Sequence, residues 1–190
     1  MKGIKAVALV SAALIVGLAL PAAGLAAEDP PISGSVQNFD LRGEPVSMPA
    51  VPVLTVANDE LSLDDFRGRV VLINFWATWC SGSWRELPTL ERLQAKLGGD
   101  DFSVVIVSQD VEGWEKITPF LKKRRLSFPE SYLDEGAKLG DAVDLPPQMG
   151  SILIDENGRE VGRLEGPADW DTPEAAALIQ YFIDKIGGST

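Results

Sequence analysis

From residue 53 onward the chain alternates short β-rich apolar runs with stretches whose apolar residues recur at helical spacing. Val53-Leu54-Thr55-Val56 predicts a strand, Asn58-Asp59 a turn, and Leu63-Asp64-Asp65-Phe66-Arg67-Gly68 a short helical turn closed by glycine. Val70 to Phe75 is apolar on both faces, as a central strand covered by helices would be. Leu87, Leu90, Leu93 and Leu97 then predict a helix that Gly98-Gly99 stops. Ser103 to Val107 reads as a second buried strand, and Trp114, Ile117 and Leu121 mark another helix ending in the basic run 122–125. Residues 151–154 and 160–164 flank Asp155-Glu156-Asn157-Gly158, a hairpin turn signal that lacks the ligand count of a calcium loop. The last helix has Thr172 as its N-cap, Pro173 at its first position, and Leu178, Ile179, Phe182, Ile183 and Ile186 as its buried stripe. This order predicts an α/β domain of three layers with a mixed sheet.

The first 52 residues have a different texture. Lys2 and Lys5 precede an apolar run from Ala6 to Leu20, then Pro21 and small residues to Ala27, which reads as an export signal over 1–26. The run of 15 residues falls short of the about 20 a spanning helix needs. An uncleaved N-terminal anchor is the alternative and the one membrane attachment the sequence leaves open. A periplasmic location follows in either case. Residues 27–52, rich in Pro, Gly and Ser, predict a flexible arm before a domain over 53–186.

Composition narrows the chemistry. Losing Lys2 and Lys5 with the signal leaves 15 basic against 28 acidic residues, a charge of −13, which excludes nucleic acid as a partner. With no histidine, a Cys-His nucleophile and His-bearing zinc or copper sites are absent, and neither cofactor nor metal is expected. Cys80 paired with Met149 offers only two soft ligands for Cu(I). Cys80 is the only cysteine, so disulfide staples are impossible. A lone cysteine in an exported chain is buried and inert, paired with another molecule, or reactive. Its position favours the last: it ends a buried strand and opens a helix, where free amides and the helix dipole favour a thiolate. Ser83 lies over the same turn.

The stretch VVLINFWATWCSGSWRELPTLERLQAKLG resembles the TlpA/ResA-like branch of the thioredoxin superfamily, whose active-site pattern is close to WATWC-x-x-C-R-x-E-M-P. The resemblance continues through LSLDDFRG, ILIDENGREVGRLEGPADWD and the last helix, and covers 53–186. It implies a thioredoxin-like fold, an α/β/α sandwich, in an exported thiol-disulfide oxidoreductase, often one serving cytochrome maturation. Carried over residue by residue, it makes Cys80 the nucleophile, puts Ser83 where the family has its second cysteine, and matches Glu86 to the acid of the pattern, either near the sulfur or exposed on the helix. Asn74 falls where many thioredoxins bury a carboxylate, either with that role altered or simply bonded near the strand end. Met149 is the ungapped match to the family's cis-proline, with Pro146 and Pro147 just upstream. A non-proline cis bond costs about 2.5–4 kcal/mol, so a trans bond and a rebuilt loop are expected there.

Trp79, Trp84 and Met149, with the two prolines, are candidates for an apolar rim that takes an extended client. Packing of Trp84 against a neighbouring loop is the alternative. The basic run 122–125 reads as a solvated helix end. Without a resolving thiol the chemistry left is monothiol exchange with exported thiol or disulfide clients, with a membrane thiol reductant as a further partner. The competing class is a binding or chaperone module. A one-cysteine peroxidase ranks last, because its pattern has Thr three residues before the cysteine and Ala77 is there.

Overall fold

The computed structural model describes residues 29–146 and 149–186. The export signal, and Pro147 of the predicted rim, lie outside the described residues.

Eight strands form one mixed sheet in the order β1-β8-β7-β4-β5-β6-β2-β3. They are β1 (Asp40–Ser47), β2 (Val53–Leu54), β3 (Glu60–Leu61), β4 (Val70–Trp76), β5 (Phe102–Ser108), β6 (Glu130–Leu133), β7 (Gly150–Ile154) and β8 (Arg159–Glu165). Helices α1 (Ser81–Leu97), α2 (Trp114–Arg124), α3 (Lys138–Ala142) and α4 (Pro173–Ile183) cover its faces. The fold is the thioredoxin-like α/β sandwich that the pattern and the resemblance predict.

Strand β4 is wholly buried because it is central, parallel to β5 on one side and antiparallel to β7 on the other. Its alternation divides the core: Val70, Leu72 and Trp76 pack with Leu87, Leu90 and Leu93 of α1 and Leu178 and Ile179 of α4. Val71, Ile73 and Phe75 face Leu63, Phe66, Leu139 and Val143. Thr172 caps α4 by accepting the Ala175 N–H, ahead of Pro173. The β7–β8 turn closes at Gly158 with φ +73°, and Asp155 Oδ1 accepts the N–H groups of Asn157 and Arg159 at 2.9 Å each. Among the described residues no helix is long and apolar enough to cross a membrane.

The described residues of the expected arm depart from that expectation between 34 and 47. Asp40–Ser47 is an edge strand paired antiparallel with β8, not a flexible arm. Its pairing is interrupted between Leu41 and Val46, where Gly43 and Pro45 sit, and this concealed the strand in the sequence. Val36 and Phe39 are buried, and Phe39 occupies the space over Gly162, where a Cβ would stand 2.3 Å from its ring. Arg42 and Arg163 converge on Glu160 at 2.7–2.8 Å. Burial opposes the charge on Glu160, but the bonds from Arg163 and Arg42 outweigh it and hold this carboxyl below its ordinary range. Ser35 Oγ also donates to the Asp169 carbonyl at 2.8 Å.

Candidate active site

Strands β4 and β5 run parallel and end together, Trp76 beside Ser108. The crevice beyond the carboxyl ends of such strands is where α/β sheets gather their functional groups. The loop after β4 carries Thr78, Trp79 and Cys80, and the chain then turns into α1. Cys80 is the N-cap residue of α1, with extended backbone (φ −84°, ψ 111°), and its N–H donates to the Ala77 carbonyl at 3.1 Å. It is half-buried and is the free cysteine. Its side chain makes no capping bond, so the sulfur is not committed to the helix end.

The approach to Cys80 is held from both sides. Asp110, 2% exposed just beyond β5, accepts the Thr78 N–H at 2.8 Å, the Thr78 hydroxyl, and the Ser108 hydroxyl at 2.8 Å. The Thr78 carbonyl in turn accepts the Trp84 indole N–H at 2.8 Å. All three polar groups of Thr78 are therefore engaged, which fixes the backbone two residues before the sulfur.

Along α1, Ser83 is buried at 2% exposure and Glu86 at 3%. Glu86 is thus not an exposed helical acid. Its Oε1 accepts the Trp170 indole N–H at 2.9 Å and the Ala168 N–H at 3.2 Å. Burial lifts this carboxyl from the usual 4.5 to about 7, against the opposing pull of bonds from Trp170, Ala168 and Asn74. Cys80 is not among its partners. A cleft of about 400 Å³ lined by Ser35, Arg85, Glu86, Pro167, Ala168 and Asp169 gives the carboxyl an outlet. Asn74 is fully buried and donates to Ser151 Oγ at 3.0 Å, so its amide serves both Ser151 and Glu86.

On the opposite face Met149 is buried, in the left-handed region at φ +64°, with its N–H donated to Pro146 and its carbonyl accepting the Gly166 N–H, each at 3.0 Å. It joins the apolar cluster against which Cys80 and Leu145 pack. Trp79, 62% exposed, shares with Met149 and Pro146 a cleft of about 360 Å³. Trp84 does not join them. Its ring lies 6.3 Å from Phe120 of α2 with the Arg124 guanidinium over it at 4.8 Å. The single rim expected around Cys80 is therefore divided: Trp79 and Met149 on one flank, Trp84 packed on another. Four residues beyond Cys80 on α1, Trp84 turns to α2 because Phe120 and Arg124 are there, while its indole N–H reaches back to the Thr78 carbonyl.

The Redoxin family profile matches residues 42–179. The chain belongs to the redoxin family. Within it, the thiol-disulfide oxidoreductase ResA of Bacillus cereus is 30% identical over 139 residues, covering 73% of this redoxin and 75% of ResA. The thioredoxin-like protein YneN of Bacillus subtilis is 37% identical over 112 residues, 58% of this chain and 64% of YneN. A thiol:disulfide interchange protein from Bacteroides sp. superposes with a TM-score of 0.63 at 22% identity, over 75% of this chain and 91% of that one. StoA of Bacillus subtilis does so with a TM-score of 0.55 at 24% identity, over 70% and 98%. These two likenesses establish the fold, and the relatives make this redoxin a ResA/TlpA-like member of the thioredoxin superfamily.

Two residues at this redoxin's site escape a reading of the sequence. Asp110 had one signal, a charged residue two positions after a buried apolar strand. Trp170 had none beyond its presence in the stretch ILIDENGREVGRLEGPADWD that carries the resemblance.

Proposed function

We propose that this redoxin is an exported thiol-disulfide oxidoreductase working by monothiol exchange on client proteins of the cell envelope, with redox maturation of cytochromes as one such task. The observation that carries the reading is Cys80 at the N-cap of α1, half-exposed and uncommitted, with buried Ser83 one turn behind it. The Cys80 thiolate attacks a client disulfide, a Cys80–client bond forms, and the departing client sulfur takes up a proton from solvent. Ser83 cannot attack that mixed disulfide as a second thiol would. Release falls to a thiol of the same client, which rearranges the client's disulfides, or to an outside thiol, which completes a reduction.

The remaining residues have supporting roles. Trp79 and Met149 line the cleft beside Cys80 that takes the client backbone. Glu86, six residues along α1, is displaced from Cys80 by about 9 Å along the helix axis. It therefore acts on the charge and proton balance beneath the site and not by contact with sulfur.

The test is exchange with an excess of a chromogenic disulfide in the absence of other thiols. The expected result is one equivalent of thiol released per protein, an adduct on Cys80, and none of either from Cys80→Ser. Ser83→Cys should convert this single event into partial turnover with a dithiol regenerant. Release of more than one equivalent of thiol by the unmodified protein with no other thiol present, or no adduct on Cys80, would refute the monothiol reading. Full function of Cys80→Ser in its own compartment would favour the binding module.

A further inference from the structure

In a chain with a net charge of −11, five of the 17 lysines and arginines lie on or beside one helix, at Lys116 and at Lys122, Lys123, Arg124 and Arg125. Three of them, with Thr78, Trp84 and Phe120, line a cleft of about 390 Å³ between α1 and α2. Its floor is preorganised. The Arg124 guanidinium lies 3.9 Å from the centre of the Phe120 ring and 4.8 Å from that of Trp84, which holds a charged planar group in one place. Lys123 is exposed and forms no ion pair among the described residues. Among the described residues Lys116 is paired only with exposed Glu112 at 3.6 Å, a pair of little worth in water.

The cleft also borders the chemistry. Thr78 is in its wall and lies two residues before Cys80, so their Cα atoms are separated by no more than about 7 Å. We infer that the cleft holds an acidic stretch of the client chain next to the client cysteine that Cys80 engages. The inference rests on the exchange reading above and adds the class of client. Carboxylates would meet Lys116, Lys123 and Arg124, while the Trp84 and Phe120 rings take the aliphatic part of the segment. A basic segment is repelled here, and a wholly apolar one would strip water from the ammonium groups without replacing it. The acidic surface elsewhere repels a long polyanion, so the occupant is short and local.

The experiment uses two short cysteine peptides, one with glutamates beside the cysteine and one with glutamines, each activated as a mixed disulfide with thionitrobenzoate. The Cys80 thiolate attacks the peptide sulfur, forming Cys80–S–S–peptide. Thionitrobenzoate leaves with the electron pair of the broken bond and gives the colour, and the proton of the Cys80 thiol goes to buffer. At low salt the glutamate peptide should react roughly five to ten times faster, and the ratio should approach one in molar salt. Lys123→Gln with Arg124→Gln should bring the ratio close to one. Lys116→Gln with Lys123→Gln should lower it while leaving the ring stack untouched. Equal rates for the two peptides with the wild type, or a preference that survives both charge removals, would overturn the inference. A matching acceleration by a small dicarboxylic thiol carried on the same reagent would overturn the peptide assignment as well. Salt-dependent binding of the glutamate sequence, with its cysteine replaced by serine, to Cys80→Ser separates the two readings. If exchange fails but this binding persists and falls in the lysine and arginine variants, the cleft stands and the exchange reading does not.

Discussion

Two tryptophans donate their indole N–H groups at almost the same length on the two flanks of α1, and they do so in opposite surroundings. Trp170 is fully buried and bonds Glu86 at 2.9 Å, while Trp84 is 43% exposed and bonds the Thr78 carbonyl at 2.8 Å. On the Trp170 flank a carboxyl is held out of water by apolar packing, and its proton affinity rises. On the Trp84 flank the rings stay at the surface with a guanidinium laid across them. One hydrogen bond thus belongs to a core, where losing its partner strands a buried group, and the other to a rim, where water can replace it. The inner flank holds α1 from within the core, and the outer one stays at the surface.

The contrast can be broken by experiment. Trp170→Ala removes a buried ring and leaves Glu86 short of a donor, and should cost about 3–5 kcal/mol in denaturant unfolding. A loss under about 1 kcal/mol would mean that the inner flank is not a core.

Glu86→Gln sharpens the comparison through pH. The folded state holds the Glu86 proton up to about 7, whereas an unfolded chain releases it near 4.5. Between these values the native state binds more protons, so this group's contribution to stability falls as pH rises through the window and stays low above it. The difference between variant and wild type should therefore be small at pH 4 and grow to about 3 kcal/mol in favour of the variant at pH 8. A difference that does not change with pH would refute the burial-driven shift.

The smallest effect belongs to Trp84→Ala. It removes one exposed hydrogen bond and an exposed cation–ring contact, worth about 1 kcal/mol of stability together. A cost equal to that of Trp170→Ala would erase the distinction between the flanks.

How far the sequence could be read follows the range of the forces involved. Strands β4, β5 and β7 are buried on both faces, so their apolar runs announced them, and the caps at Thr172 and the Asn157-Gly158 turn are local. Strand β1 is different: DLRGEPVS has no alternation, and what keeps it in the sheet is Glu160 between two arginines and Phe39 on Gly162, partners more than a hundred residues away. β6 and α3 were too short to show a period. At the site, the position of Cys80 was legible from the strand-to-helix change. The burial of Glu86 was not, because it depends on Trp170 and Ala168 folding back over α1. For Trp84 the sequence leaves both the rim and packing on a neighbour open, for a related reason: helical spacing brings it over Cys80, and only the contact with Phe120 and Arg124 shows which way it turns.

The clamped first strand also sets the reach of the molecule. The chain enters the sheet at β1, and β8 and β7 separate it from β4, which delivers Cys80. Three strand spacings of about 4.8 Å put the reactive end of β4 about 14 Å across the sheet from that entry, with no slack between them. A long leash would let a thiol search a volume and find its client. Here the heading of Cys80 is fixed relative to the point where the chain joins its sheet, and in the exchange proposed above a client would have to bring its sulfur to that heading.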